Sequence, residues 1–509
     1  MGMLKRIDDF LNTTTMYRVV LYGLVGLIAA AMVLGFFGLV PYNPIAILFS
    51  TLLITTVCWI ANKLFAWAFD APTNVESVYI TALILALIVS PLSSLQDPQF
   101  FPLAIWASLW AIASKYILAV GKKHVFNPAA FAVALTALTI GLSASWWVAT
   151  PWMAPFVLVA GFLIVRKIQR TDLIVSFIIA ALAATVGPHV LSGSDIAASL
   201  GRTVLNAPLL FFAFVMLTEP LTTPPQRWLR IIYGALVGFL FAPWVHLGSI
   251  YSTPELALLV GNLFSYLVSP KEKLMLTLKD KVKVAADSYD FVFRSDRPLS
   301  FRPGQYMEWT LPHAYPDNGG NRRYFTIASS PTEKDVRLGL KFYYPASSFK
   351  RTLAEMGVGE RVVASQLAGD FILPRDPKRK LVFIAGGIGI TPFRSMIQYL
   401  LDRREPRPIT LFYSNKTANE IAYKDVFDRA ARELGMRTVY ALTDEPAVAP
   451  GTHAGRIDAA LIARTVPDYR ERIFYLSGPR SMVNAFEKTL RGMGIPGRRI
   501  KTDFFPGFA

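Results

Sequence analysis

Arg323-Tyr324-Phe325-Thr326-Ile327-Ala328-Ser329-Ser330-Pro331 lies in the second half of a 509-residue chain. Read as a strand, it presents a cation at Arg323, an aromatic two residues on at Phe325 and a hydroxyl at Thr326. Such a set offers a guanidinium to a phosphate, a ring face to a planar cofactor and a hydrogen-bond donor to its edge. The same nine residues also suit an ordinary amphipathic strand, so their surroundings have to decide.

On both sides of this stretch, between 274 and 373, lie LMLTLKDKVKVA, DSYDFVFRS, GQYMEWTL, RRYFTIASS, VRLGLKFYY and ERVVASQL, short alternating runs punctuated by Pro, Gly and Asp. They predict a small antiparallel β-barrel. Ser347 and Ser348, ahead of the helical FKRTLAEM, put hydroxyls and free amides at a helix N-terminus, suited either to a pyrophosphate or to plain capping. Further on, Leu381-Val382-Phe383-Ile384-Ala385 reads as a buried parallel strand delivering Gly386-Gly387-Ile388-Gly389-Ile390-Thr391-Pro392 into the helix FRSMIQYLLDR. Glycines let backbone approach a pyrophosphate, and the Thr391 hydroxyl sits at the helix mouth. Strand and helix patterns then alternate to the end, predicting a doubly wound α/β domain.

The first half is different. Apolar segments run over 17–40, 44–69, 77–92, 100–120, 128–149, 152–165, 173–191, 204–217, 231–247 and 256–268, which predicts about ten membrane helices. With ten, both ends share a side, and Lys5, Arg6, Arg18, Lys122, Lys123, Arg166, Lys167, Arg170, Arg227 and Arg230 all fall there, with Arg202 opposite. The positive-inside rule then makes both termini cytoplasmic, in a bacterial-type inner membrane. Topology accounts for the net charge of +17, and no nucleic-acid motif accompanies it. The opening MGMLKRIDDF reads as neither a signal peptide nor a myristoylation signal, since Arg6 stands where the latter wants Ser or Thr. The expected architecture is an all-α membrane domain over 1–270, an antiparallel barrel over 271–374 and a doubly wound α/β domain over 375–509.

Three loops on the expected cytoplasmic side carry amides, hydroxyls or a carboxylate at helix ends: Ala71–Ser77 with Thr73 and Asn74, Lys122–Pro128 with Asn127, and Thr218–Pro224 with Glu219 and Thr222. They are suited to ringing a polar cofactor, or simply to capping helices. The single cysteine, Cys58, allows no disulfide and no Cys-ligated iron–sulfur cluster within this chain. His124, His189 and His246 are not placed to stack a bis-His heme, and no metal site is expected.

The Arg323-x-Phe325-Thr326 stretch followed by IASS resembles the Arg-x-Tyr-Ser/Thr signature of the ferredoxin-NADP reductase superfamily, and Pro303-Gly304-Gln305-Tyr306 resembles the stretch found upstream of it. The resemblance implies FAD, with Arg323 on the pyrophosphate, Phe325 over the isoalloxazine and Thr326 toward the flavin N5. It implies NAD(P)H at Gly386, Gly387, Gly389, Thr391 and Pro392. The family's Cys-Gly-Pro nicotinamide motif stands here as Ser477-Gly478-Pro479, which leaves binding intact and the rate of hydride transfer in question. At the tip of the second strand Ser414 and Lys416, with no carboxylate directly there, lean toward a 2′-phosphate and NADPH, although NADH reductases with similar tips are common. Phe505 and Phe508 resemble a C-terminal aromatic packed on the flavin, or else form a buried apolar tail.

NPAAF followed by TEPLTTP, across the apolar spans, resembles the B subunit of the sodium-pumping NADH:quinone reductase and the D subunit of the Rnf complex. Where that family has Ser-Gly-Ala-Thr for covalent FMN, this chain reads Ser192-Gly193-Ser194-Asp195, so a second flavin, FMN or riboflavin, is expected without a covalent link. The expected protein oxidises NAD(P)H through FAD, with Thr326 and Ser477 nearest the chemistry, and passes electrons to a membrane flavin or quinone. An oxidase or transmembrane reductase, and a transporter with a nucleotide-sensing domain, are the alternatives. Oligomeric state stays open.

Overall fold

The computed structural model describes residues 7, 10–11, 14–69, 75–94, 96–120, 123–191, 195–269, 273–313, 317, 320–446 and 451–503. The chain divides into two compact units, Met1–Lys271 and Glu272–Ala509.

The first unit is helical, and its punctuation is visible in the sequence. Asn43 and Asn127, each followed by Pro, accept from the amides of Ala46 and Ala130 at 2.7 and 3.0 Å and open the helices Pro44–Ala68 and Pro128–Ile140. Thr15 and Thr253 cap Met16–Phe36 and Pro254–Val268 in the same way. Four helices are long and apolar enough to cross a membrane: Met16–Phe36, Pro44–Ala68, Phe100–Ile117 and Thr171–Val190. A fifth is reached if Ile196–Asn206 and Leu209–Met216, bent by 56°, count as one span. Large apolar side chains such as Ile45 and Trp67 stand exposed on these helices, as a lipid-facing surface requires.

Among the described residues no more than five helices meet that length, so ten full crossings are not confirmed. Each expected segment contains helix, but several are short: Val75–Ile88 has 14 residues, Pro128–Ile140 has 13 and Pro254–Val268 has 15. Gly141, at φ +70°, ends the helix from Pro128, and Pro91 lies just past the end at Ile88. The freed backbone is satisfied by protein, because the Ser145 and Trp146 amides donate to the Ile88 carbonyl at 3.0 and 2.9 Å.

The second unit holds two six-stranded sheets. In the first, β1 (Leu274–Ala285), β2 (Ser288–Ser295), β3 (Tyr306–Thr310), β4 (Arg322–Thr326), β5 (Val336–Lys341) and β6 (Arg361–Ala368) lie in the order β4-β3-β6-β1-β2-β5, all neighbours antiparallel. The sheet curls until its edges meet: just past β4, the Ala328 amide donates to the Arg337 carbonyl of β5 at 2.9 Å. It is a curled sheet, stitched at its edges, rather than a barrel closed by a ladder. Trp309, Phe293 and Leu276 fill it, and the helix Ser348–Glu355 covers the core with Phe349 and Leu353.

The second sheet is parallel throughout, comprising β7 (Leu381–Gly386), β8 (Ile409–Asn415), β9 (Arg437–Leu442), β10 (Thr452–Ala454), β11 (Ile473–Ser477) and β12 (Ile500–Thr502) in the order β10-β9-β8-β7-β11-β12. Alternation along β7 explains its continuous apolar run. Leu381, Phe383 and Ala385 join the core with Phe393 and Met396, while Val382 and Ile384 join the opposite core with Leu461 and Phe486.

Candidate functional site

β4 pairs with β3 so that Arg323 lies opposite Trp309, and Thr326 opposite Tyr306. Strand alternation therefore sends Arg323 and Phe325 to one face and Thr326 to the other. Arg323 is buried, with its guanidinium 5.5 Å from the Phe349 ring, and the Phe325 and Phe349 rings lie 5.9 Å apart. Ser347 Oγ caps the helix Ser348–Glu355 by accepting from the Lys350 amide at 3.3 Å. A carboxylate unmarked by any motif joins these groups: Asp317 takes Arg323 Nη2 at 3.2 Å through one oxygen and the Ser348 amide at 2.7 Å through the other. The chain's own anion thus shows that guanidinium and helix-end amide converge on negative charge, and these residues fit a pyrophosphate.

The Gly386–Gly389 turn and the Ser477-Gly478-Pro479 loop meet backbone to backbone. Gly387 adopts φ +51° and Gly478 φ +151°, conformations that favour glycine. A Cβ added at Gly389 would fall 2.5 Å from both Cα and N of Gly478, and one at Gly386 would strike Met482. Only bare backbone lets the Gly386–Gly389 turn and the Ser477-Gly478-Pro479 loop approach this closely. Thr391 and Pro392 begin the buried helix Thr391–Asp402. At the tip of β8, Ser414 is half-buried and Lys416 exposed, with the Lys416 amide donating to Glu420.

Asp503 draws the two expected catalytic hydroxyls together. Its Oδ2 accepts from Thr326 Oγ1 at 3.4 Å and from Ser477 Oγ at 3.1 Å, so one carboxylate connects the end of β4 to the end of β11. Burial pushes the Asp503 carboxyl up to about 7, against the two hydroxyls that pull it down. The folded state thus holds this proton more tightly than the unfolded chain does. Its contribution to stability is full below the ordinary carboxylate value of 3.8 and is lost as pH rises through about 7. Thermal unfolding should show Asp503→Asn gaining on the wild type between those limits. Parallel curves for the two proteins would contradict the assignment.

Ser329 and Ser330 serve as a clasp between the two sheets' domains. Ser395 Oγ donates to the Ser329 carbonyl at 2.7 Å, the Ser330 amide donates to Glu333 at 2.6 Å, and Arg394 pairs with Glu333.

In the first unit, a pocket has a wall of Val20, Ile80, Ile84, Ile164, Ile168 and Val215 and polar groups at Ser77, Thr81, Asn127, Thr218 and Glu219. All three polar loops are represented around Glu219 or in this lining. Glu219 accepts from Asn127 Nδ2 at 2.9 Å and from Thr222 Oγ1 at 3.4 Å, and its other oxygen lies 2.9 Å from His124 Nε2. Asn127 caps its helix through Oδ1 while its amide nitrogen donates to Glu219. Thr73, Asn74, Phe505 and Phe508 lie outside the described residues.

Residues 383–488 match the family model described as the oxidoreductase NAD-binding domain, and residues 151–273 match that of the NQR2, RnfD, RnfE family. The chain joins these two modules. This fusion pairs a stretch similar to the oxidoreductase NAD-binding domain with one similar to the NQR2, RnfD, RnfE family, the latter in a unit with helices long and apolar enough to cross a membrane. It is similar to the flavohemoprotein of Pseudomonas putida, 28% identical over 208 residues covering 41% of this chain and 52% of that protein. The reductase subunit of the aromatic O-demethylase of Amycolatopsis is 28% identical over 242 residues, 46% of the fusion and 70% of the relative. Among solved structures, Amycolatopsis cytochrome P450 reductase is 28% identical with a TM-score of 0.41, covering 46% of the fusion and 70% of that chain. The fusion spans about half the length of the flavohemoproteins it matches, 52% and 57% of the first two.

Proposed function

We propose that the fusion oxidises NAD(P)H, NADPH by preference, and delivers the electrons to a quinone, directly or through a second, non-covalently held flavin in the membrane unit. The observation that carries this reading is the union of Thr326 and Ser477 on Asp503 in a chain whose other unit encloses an apolar pocket with a polar end. When bound, FAD takes a hydride from the nicotinamide and releases the electrons singly or in pairs. The protein's part is placement. Arg323 and the Ser347–Ser348 helix end hold the pyrophosphate, with Asp317 giving way to it; Phe325 covers the ring; Thr326 approaches its reactive edge. The Gly386–Gly389 turn, Thr391 and Pro392 seat the dinucleotide, Ser414 and Lys416 its adenosine phosphate, and Gly478 and Pro479 keep Ser477 at the nicotinamide. Both hydroxyls stay oriented by Asp503.

In the membrane unit, Asn127, Glu219 and Thr222 supply the polar end of the acceptor site, and Thr73 and Asn74 belong to the same expected ring. Loop charge supports cytoplasmic termini, and the ten apolar segments support up to ten passes, some of them incomplete. The reading divides the chain at about 270 and 374. Extraction of cofactors from detergent-purified protein tests it: one FAD per chain with a second releasable flavin, FMN or riboflavin, is the expected yield. Heme in the extract, or no flavin at all, would overturn it.

A further inference from the structure

Resting on the reading of the membrane pocket as a quinone site, we infer that Glu219 and His124 are the pair that delivers protons to the ring reduced there. Glu219 lines the pocket, while His124 is absent from its lining and sits behind Glu219 at 11% side-chain exposure. The histidine belongs to a short hairpin in which Lys123–His124 pairs with Ala119–Val120. One Glu219 oxygen is fixed by Asn127 Nδ2 and Thr222 Oγ1, and the other faces His124 Nε2 at 2.9 Å. A carboxylate held on one oxygen and joined to an imidazole on the other is oriented for proton exchange.

The remaining ionisable groups around Glu219 are engaged elsewhere. Lys115, from Phe100–Ile117, is within electrostatic reach of it, but its ammonium donates to the Ser77 carbonyl and hydroxyl at 2.9 and 3.0 Å. Tyr233, from Arg227–Leu240, is also within reach, and its hydroxyl accepts from Asn262 Nδ2 at 3.0 Å, with Arg170 acting on Tyr233 in turn. Among the described residues, His124 is the titratable hydrogen-bond partner of Glu219. Capping alone does not explain the arrangement, because Asn127 already caps Pro128–Ile140 through its own oxygen.

The chemistry balances as follows. Quinone plus two electrons and two protons gives quinol, and the electrons come from NAD(P)H through FAD. As a ring oxygen gains charge, a proton passes to it through Glu219 and forms the new O–H bond. His124 hands Glu219 the replacement proton, and water supplies the next one to His124. Two passes supply both protons.

The test uses the full-length protein in lipid nanodiscs with NADPH and decylubiquinone, comparing wild type, Glu219→Gln, Glu219→Asp and His124→Gln from pH 6 to 9. Bleaching of the flavin by NADPH checks the reductase unit of each variant, and a symmetric size-exclusion peak checks that the membrane unit is folded. Glu219→Gln should lower kcat for quinone reduction at least about a hundredfold with little change in KM, the lower end of what a lost general acid costs. Glu219→Asp should recover part of the rate, and His124→Gln should lower kcat with little change in KM. Wild-type kcat and pH profile in Glu219→Gln, or a loss confined to KM, would overturn the relay while leaving the quinone reading intact. A wild type that bleaches with NADPH yet reduces no quinone would overturn that reading and the relay with it.

Discussion

Arg323→Ala should purify as a folded protein without FAD, and without NAD(P)H oxidation. The guanidinium is 8% exposed and is the cation that the helix end at Ser348 shares with an anion. Charge-assisted bonds of this kind are roughly twice as strong as neutral ones, and losing a pair costs on the order of 3 kcal/mol, a weakening of about a hundredfold or more. The fold should survive. The partner left behind, Asp317, has 34% side-chain exposure and can be hydrated, so no charge is stranded in an apolar interior. Flavin absorbance per mole of protein, with the far-ultraviolet circular dichroism as control, measures the effect. Wild-type FAD content in this variant would mean that the pyrophosphate sits elsewhere.

Gly389→Ala should leave FAD in place and cut flavin reduction by NAD(P)H about a hundredfold or more. The added methyl would lie 2.5 Å from Gly478 Cα and N, which are backbone atoms with no side chain to swing aside. The two loops must part, and displacement of about 1 Å at a reacting centre is enough for a loss of that size. Flavin bleaching under single-turnover conditions reads this directly. Together with Arg323→Ala, it separates the two halves of the reductase unit: one variant colourless, the other yellow but unresponsive.

Much of this arrangement was legible in the residues, because its parts are local. Alternation in the strand runs, the apolar run 381–385 before a glycine turn, and Asn-Pro at helix starts are patterns within a few positions, and each formed the element it implied. What the residues did not announce depends on distance along the chain. Asp503 is an acid just before an aromatic tail; it becomes informative only when β12 beside β11 brings it to Ser477, and Thr326 arrives from 177 positions away. Asp317, in a loop rich in Pro, Asn and Gly, carries no spacing signal for the seat it shares with Arg323. Ser329 and Ser330 read as part of the flavin shelf, yet their bonds run to the clasp formed with Ser395 and Glu333. In the membrane unit hydropathy located the apolar segments but not how much of each is helix. Gly141 and Pro91 were visible stops, and the backbone beyond them is held by hydrogen bonds such as that of the Trp146 amide to the Ile88 carbonyl, which no window of hydropathy registers.

Anaerobic stopped-flow of the full-length protein in nanodiscs tests the electron path most directly. NADPH alone should bleach the bound flavin. Subsequent mixing with decylubiquinone in the absence of oxygen should restore the colour within the turnover time. Flavin that stays oxidised with NADPH would contradict the entry of electrons through the reductase unit. Flavin that is bleached but recovers only when oxygen is admitted, at a comparable rate without quinone, would contradict their exit through the membrane pocket.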